Sequence, residues 1–178
     1  FDSQRFKLRK LQISDYDKGF PAILAGLTTR TLFRFLPRPV CACSYLARAH
    51  VVGNVTKDMF EARFREMESA KDTYHVMVIE DTQTGKVVAA ATLLVEIKFI
   101  RLCARVGHVE DVVVHKDYRG HNLGLAVVRA LNELARARGC YKIILDCNEK
   151  NVTFYKKLGY AINDNHMALY FDKAGSSS

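Results

Sequence analysis

Polar and apolar positions alternate in "RFKLRKLQ" (residues 5–12), the pattern of a strand with one buried face. Ser14, with Asp15 and Asp17 behind it, then predicts a helix start with acids near the positive end of the dipole, and that helix runs to about Leu27. Residues 30–51 hold two of the three prolines, four arginines and no acid, and read as a loop or a loosely packed insertion. Thr56 caps a second helix through about Glu68. "TYHVMVIED" and "KVVAAATLLVEIKF" flank "TQTG", with Gly85 in the turn, and predict a hairpin. "GHVEDVVVH" adds a third strand, antiparallel to its predecessor because the connection is short. Leu123, Val127, Ala130, Leu131 and Leu134 recur at helical spacing until Gly139. "CYKIILDC" is continuously apolar in its middle and reads as a central buried strand. "NVTFYKKLGY" reads as a short helix ending at Gly159, and "HMALYFDK" as a last strand. The order β-α-α-β-β-β-α-β-α-β predicts an α+β (α/β) fold, a mixed and mostly antiparallel sheet flanked by helices.

The length of 178 residues fits a single domain, with residues 174–178 as a disordered tail. Apolar residues make up 49%, enough for a sizeable core. Lys and Arg outnumber Asp and Glu by 27 to 19, a net +8 that suits an anionic partner such as a phosphate-bearing molecule. The positives are dispersed outside 30–51 and no nucleic-acid recognition element is visible, so no nucleic-acid partner is expected. Cys41, Cys43, Cys103, Cys140 and Cys147 include no CxxC pair, so neither a metal site nor a disulfide framework is implied. Cys140 and Cys147 read as small core residues, and reduced thiols fit the cytoplasm. No apolar run reaches the roughly 18 residues of a membrane span, and no secretory signal is visible.

The chemistry concentrates in residues 109–124. Glu110 and Asp111 precede the apolar run Val112, Val113, Val114, and Arg119, Gly120, Asn122 and Gly124 lie between that run and the next helix. A glycine-bearing, basic turn at a helix N-terminus suits an anion, because free amides and the dipole point outward there. The same residues also fit an ordinary strand-to-helix turn with solvated polar groups. No GK[ST] and no GxGxxG follows. On a regular strand the two acids point to opposite faces, so at most one serves a given cleft. Glu110 is readable as a base or as a surface acid, Tyr155 as a proton donor or as a core aromatic, and Asp146 as an active acid or as a solvated strand end.

These segments together resemble the GNAT acetyltransferase superfamily. "RGHNLG" is similar to its pyrophosphate loop, and "NVTFYKKLGY" to its second signature. Within it the likeness is to the glucosamine 6-phosphate N-acetyltransferase family, through "LTT" (27–29), "EIKFI" (96–100), "GHVEDVVV" (107–114) and "GCYKIILDCNEKNVTFYKKLGY" (139–160). The resemblance implies acetyl transfer from acetyl-CoA to the amine of D-glucosamine 6-phosphate, in UDP-N-acetylglucosamine biosynthesis, by direct attack and without a metal. It implies that Val112, Val113 and Val114 hold the pantetheine arm. Arg119, Gly120, His121, Asn122, Leu123, Gly124 and Leu125 would cradle the pyrophosphate, with Asn151 and Tyr155 also on the cofactor. It gives Thr28, Lys98, Phe99, Ile100, Arg101, Glu110, Asp111, Val112, Tyr141, Lys142 and Asp146 to the sugar phosphate. Proton removal from the amine falls to Glu110 or the Asp146 region, and protonation of the leaving thiolate to Tyr155. A homodimer with active sites near the interface is implied as well.

Three positions depart from the family pattern. Asn122 stands where the loop usually has glycine, a change Asn tolerates because it accepts left-handed backbone. Tyr170 stands where the family has an Arg that contacts the substrate phosphate. Residues 30–51 separate "LTT" from "VGNVT", which the family joins almost directly, and read as an added loop or a non-native stretch.

Overall fold

The structure is a computed structural model that describes residues 1–28, 55–163 and 167. The inserted segment 30–51, Tyr170, the last strand expected from "HMALYFDK" (all but Met167) and the tail 174–178 lie outside the described residues. The chain divides into two units, Phe1–Leu145 and Asp146–Ser178.

The first unit is built on a five-stranded sheet in sequential order. β1 (Phe6–Lys10) pairs antiparallel with β2 (Tyr74–Asp81), β2 with β3 (Lys86–Ile97), and β3 with β4 (Arg105–Val114). β5 (Cys140–Ile144) joins β4 in parallel. The crossover between them carries α4 (Leu123–Ala137), as a parallel pair requires. Leu123, Val127 and Leu131 of the expected stripe are buried on α4, together with Gly124, Val128 and Ala135, while Ala130 and Leu134 are half-buried. Gly107 on β4 marks how closely that face approaches: a Cβ there would lie 3.0 Å from Leu93, 3.3 Å from Ile143 and 3.4 Å from Ala135. A second core joins Phe20 and Ile23 of α1 (Phe20–Leu24) and Phe60 of α2 (Lys57–Ser69) to Val78, Val87, Ala90 and Val113 of the sheet. Thr56 caps α2 as expected, accepting from the Met59 amide at 3.3 Å.

Two expectations need correction. The helix expected from Ser14 to Leu27 is a chain of short pieces: a 3-10 turn (Ile13–Tyr16), α1, and a second 3-10 turn (Ala25–Thr28). Gly19 breaks the run with φ +86, and Pro21 then restarts it in the first turn of α1. Asp15, read as a dipole-facing acid, is wholly buried; it accepts both guanidinium nitrogens of Arg9 at 2.7 Å and the Gln12 amide at 2.8 Å. The strand 140–147, read as central and buried, is shorter and leaves Tyr141, Lys142 and Ile144 exposed. It stands last in the described sheet. An apolar run alone does not separate a buried strand from a half-covered one.

In the second unit a 3-10 turn (Glu149–Asn151) leads into α5 (Val152–Lys156). Gly159, at φ +87, follows it as the sequence predicts.

Candidate active site

β4 is not a regular strand. Thr92 pairs with Glu110 and Ala90 with Val113, so Ala91 alone faces both Asp111 and Val112. This is a β-bulge, and Asp111 takes a left-handed φ of +52 within it. Strict alternation therefore fails where the sequence argument used it: Glu110 and Asp111 are both exposed, Val112 and Val114 half-buried and Val113 buried. A bulge sets its extra residue outside the regular ladder and bends the strand. Gly26, in the Ala25–Thr28 turn, lies against this stretch, where a Cβ would come 3.3 Å from Val113. The structure thus brings the segment that carries Thr28 beside the bulge.

Past Val114, the His115 amide donates to Val88 at 2.8 Å and the chain makes a 3-10 turn (Lys116–Tyr118). Gly120 at φ +86 and Asn122 at φ +58 then turn it into α4. Asn122 adopts the left-handed backbone for which Asn was read as tolerable. Arg119, Gly120, His121 and Asn122 are exposed, Leu123 and Gly124 buried, and Leu125 half-buried. Nδ1 of His121 lies 3.3 Å from the Tyr118 carbonyl and 3.2 Å from that of Arg119, so it is the donor. A 15-residue helix starts directly behind a basic, exposed loop, and the unpaired first-turn amides and dipole of a helix make such a start suited to an anion such as a pyrophosphate.

Asp146 apart, which belongs to the second unit, the expected sugar-phosphate residues fall into two groups. One is Glu110, Asp111 and Val112 at the bulge, beside the segment that ends at Thr28. The other lies at the start of β4. There the Arg101 guanidinium sits 5.2 Å from the Tyr141 ring centroid, and Lys142 Nζ 5.8 Å from the same ring. Lys98 and Phe99 precede Arg101 on the same connection, and Phe99 is 96% exposed. Arg105 opens β4 five residues before Glu110, a span of roughly 17 Å of strand. The connection itself is unusual: α3 (Ile100–Cys103) is a single turn with left-handed φ at Arg101, Leu102 and Cys103.

Sequence reading passed over Glu96 and His108. Glu96 pairs with Lys98 Nζ at 2.5 Å and with His108 Nε2 at 2.9 Å. The Lys98 hydrogen bond first, then that of His108, holds its carboxyl below the usual range. Part of the signal was present, since Glu96 and Lys98 lie two apart at the end of the predicted strand; the register that sets Leu94 opposite His108, and so His108 diagonal to Glu96, comes from the structure.

In the second unit Tyr155 is 9% exposed, its ring 4.9 Å from Phe154 and 5.9 Å from Tyr160. Asp146 and Asn151 are exposed, and the Asn151 amide donates to the Asn148 carbonyl at 2.8 Å. Cys147 is exposed, which corrects its reading as a core residue; a strand end shorter than expected leaves it in the following loop. Cys140 is half-buried, and burial pushes its thiol up. Among the described residues no cluster of His, Cys, Asp and Glu is placed to hold a metal ion. None of the described helices is long and apolar enough to cross a membrane.

A family model described as "Acetyltransferase (GNAT) family" matches residues 43–160. The chain belongs to the GNAT acetyltransferases. Glucosamine 6-phosphate N-acetyltransferase of Arabidopsis thaliana is 39% identical over 96% of this GNAT chain and 99% of its own length. The protein of the same name from Dictyostelium discoideum, numbered 1, is 38% identical over 91% and 88%. A crystal structure of the Arabidopsis thaliana enzyme covers 94% of this chain and 99% of that one, with a TM-score of 0.80 and 40% identity. This GNAT acetyltransferase thus shares fold and sequence with such enzymes along nearly its whole length.

Proposed function

We propose that this GNAT acetyltransferase moves the acetyl group of acetyl-CoA onto the amine of D-glucosamine 6-phosphate, giving N-acetyl-D-glucosamine 6-phosphate and CoA. The observation that carries the substrate is the near end-to-end similarity to relatives that bear this name, at 38–39% identity.

The geometry described above supports a division of labour. The bulge at Asp111 interrupts the β3–β4 ladder just where the pantetheine arm would lie along Val112, Val113 and Val114. Residues 119–125 would take the pyrophosphate on backbone amides, with Arg119 adding charge. The neutral amine attacks the thioester carbonyl, so a C–N bond forms and the C–S bond breaks. Glu110, exposed at the bulge, would accept the proton the nitrogen loses, directly or through water, and the Asp146 region is the other candidate for that step. Tyr155 would give a proton to the departing thiolate. Alignment of the two substrates along one strand supplies much of the rate.

We further propose a homodimer. The sugar-phosphate residues at the start of β4 and at its bulge are too far apart along the strand for one small sugar phosphate. The connection that holds Lys98 and Arg101 also exposes Ile97, Phe99, Ile100 and Leu102. A second copy would cover that apolar tip and bring its Lys98, Arg101 and Tyr141 to the first copy's Glu110.

The test is release of CoA, followed with a thiol reagent, from acetyl-CoA mixed with glucosamine 6-phosphate or with unphosphorylated glucosamine. Rapid release is expected with the phosphorylated sugar only. Equal release with both, or none with either while acetyl-CoA still binds, would move the enzyme to another amine.

A further inference from the structure

The loop at residues 119–122 is braced from behind by groups far away in sequence. Phe6 of β1, 2% exposed, meets the Tyr118 ring edge-on at 6.3 Å and the His121 ring at 5.7 Å. The Arg5 guanidinium lies 5.0 Å above Phe6 and 5.8 Å above Tyr118. That guanidinium is fixed by Asp81, whose carboxylate is wholly buried and accepts from Arg5 Nε at 3.2 Å and Nη2 at 3.1 Å. Asp81 also accepts from the Gln83 amide at 3.1 Å and the Thr84 hydroxyl at 3.2 Å, which ties in the β2–β3 turn. Tyr118 in turn meets His115, the residue after β4, edge-on at 5.6 Å.

The flanks of Gly120 and Asn122 are thus clamped, while the two residues themselves are exposed and open. A Cβ at Gly120 would meet nothing within 4 Å. A loop that presents amides to an anion gains affinity when its free conformation is already the bound one. We propose that Tyr118 is a positioning residue for the acetyl-CoA loop, and that Phe6, Arg5 and Asp81 act through it. None of the four needs to touch the cofactor. The inference rests on the reading that residues 119–125 hold the pyrophosphate.

The experiment measures CoA affinity by calorimetry and steady-state kinetics in both substrates, for Tyr118→Ala, Tyr118→Phe and Gly120→Val. Tyr118→Ala is expected to weaken CoA and raise KM for acetyl-CoA about threefold to tenfold, the worth of one or two aromatic contacts. KM for the sugar phosphate and kcat at saturating acetyl-CoA should stay near the parent values. Tyr118→Phe, which keeps the ring and gives up only the hydroxyl's smaller link to Asp81, should restore most of the affinity. Gly120→Val places a β-branched residue at a left-handed backbone and should weaken CoA more strongly. If Gly120→Val leaves CoA affinity unchanged, the assignment of the loop falls and the brace with it. If Gly120→Val weakens CoA but Tyr118→Ala does not, the brace alone is wrong. A Tyr118→Ala protein that loses kcat and both KM values together would also overturn it, since that is general loosening and not loop placement.

Discussion

At the scale of single residues, Asp81 and Asp15 show how this chain uses buried acids. Each closes an ion pair with an arginine, Asp15 with Arg9 of the first strand and Asp81 with Arg5 just before it. The Arg5 guanidinium, with smaller help from the Gln83 amide and the Tyr118 hydroxyl, holds the Asp81 carboxyl down to about 2, against the opposing effect of burial. The folded value lies below the usual 3.8, so this contribution is complete above pH about 4 and is lost as pH falls towards about 2. Chemical denaturation of parent and Asp81→Asn proteins at pH 7, 4 and 2.5 should therefore show the largest stability gap at pH 7, and the gap should close on acidification. A gap that stays constant with pH would mean that Asp81 acts by packing alone. The sequence reached the ordinary signals at this scale. Thr56 caps a helix, Gly85 sits in a turn at φ +68, and Gly139 and Gly159 follow helices with positive φ. Asp15 was misread because a short acid after Ser14 suits both an N-cap region and an ion pair, and only the folded neighbour Arg9 separates the two.

Among the elements, α4 was the most legible, because Leu123, Val127 and Leu131 of the expected stripe are buried and the helix runs to Ala137, just before the Gly139 stop; the buried face is turned slightly, to Val128 and Ala135 in place of Ala130 and Leu134. The bulge in β4 was not legible. It adds one residue to a run, "VEDVVV", that reads equally well as a regular strand, and only the register against Ala90 and Thr92 exposes it. Its backbone nonetheless makes a prediction. Asp111 holds φ +52, which Asp accepts and a β-branched residue does not. Asp111→Val should cost about 1–2 kcal/mol of stability, while Asp111→Gly should be close to neutral. Denaturant midpoints of the three proteins check this, and equal losses in both variants would show that the Asp side chain matters rather than the backbone. The broken first helix was readable in principle. "KGFPAIL" places Gly19 and Pro21 as punctuation, but the apolar spacing from Ile13 to Leu27 masked it.

On the scale of the whole molecule, the first unit's sugar-phosphate residues are split between the start of β4 and its bulge. A site shared between copies predicts complementation. Arg101→Ala and Glu110→Gln proteins should each be nearly inactive, Glu110→Gln by about a hundredfold or more if it is the base. Co-expression, or unfolding and refolding the two together, makes mixed dimers in which one site carries both lesions and the other carries none. With half of the dimers mixed, about a quarter of parental activity should return. No recovery, with mixed dimers demonstrated by mass, would place both groups in one chain's site. Sequence alone could supply the list of these residues through family likeness, but not their partition along β4, because that depends on which end of the strand each connection reaches.

The order of the sheet carries one more consequence, for how the protein assembles. β2, β3 and β4 follow one another through short connections, so their pairing closes small loops and is cheap in chain entropy. β5 is different: it docks in parallel, and only after α4 has crossed over the sheet. The stretch that would receive acetyl-CoA is the connection into that crossover. The nascent chain therefore completes its meander before it can own a binding loop, and late-forming parts tend to be the first to open. Acetyl-CoA would then act as a late folding partner, and its addition should protect the amides of residues 119–125 from hydrogen exchange well before it changes those of β2 and β3.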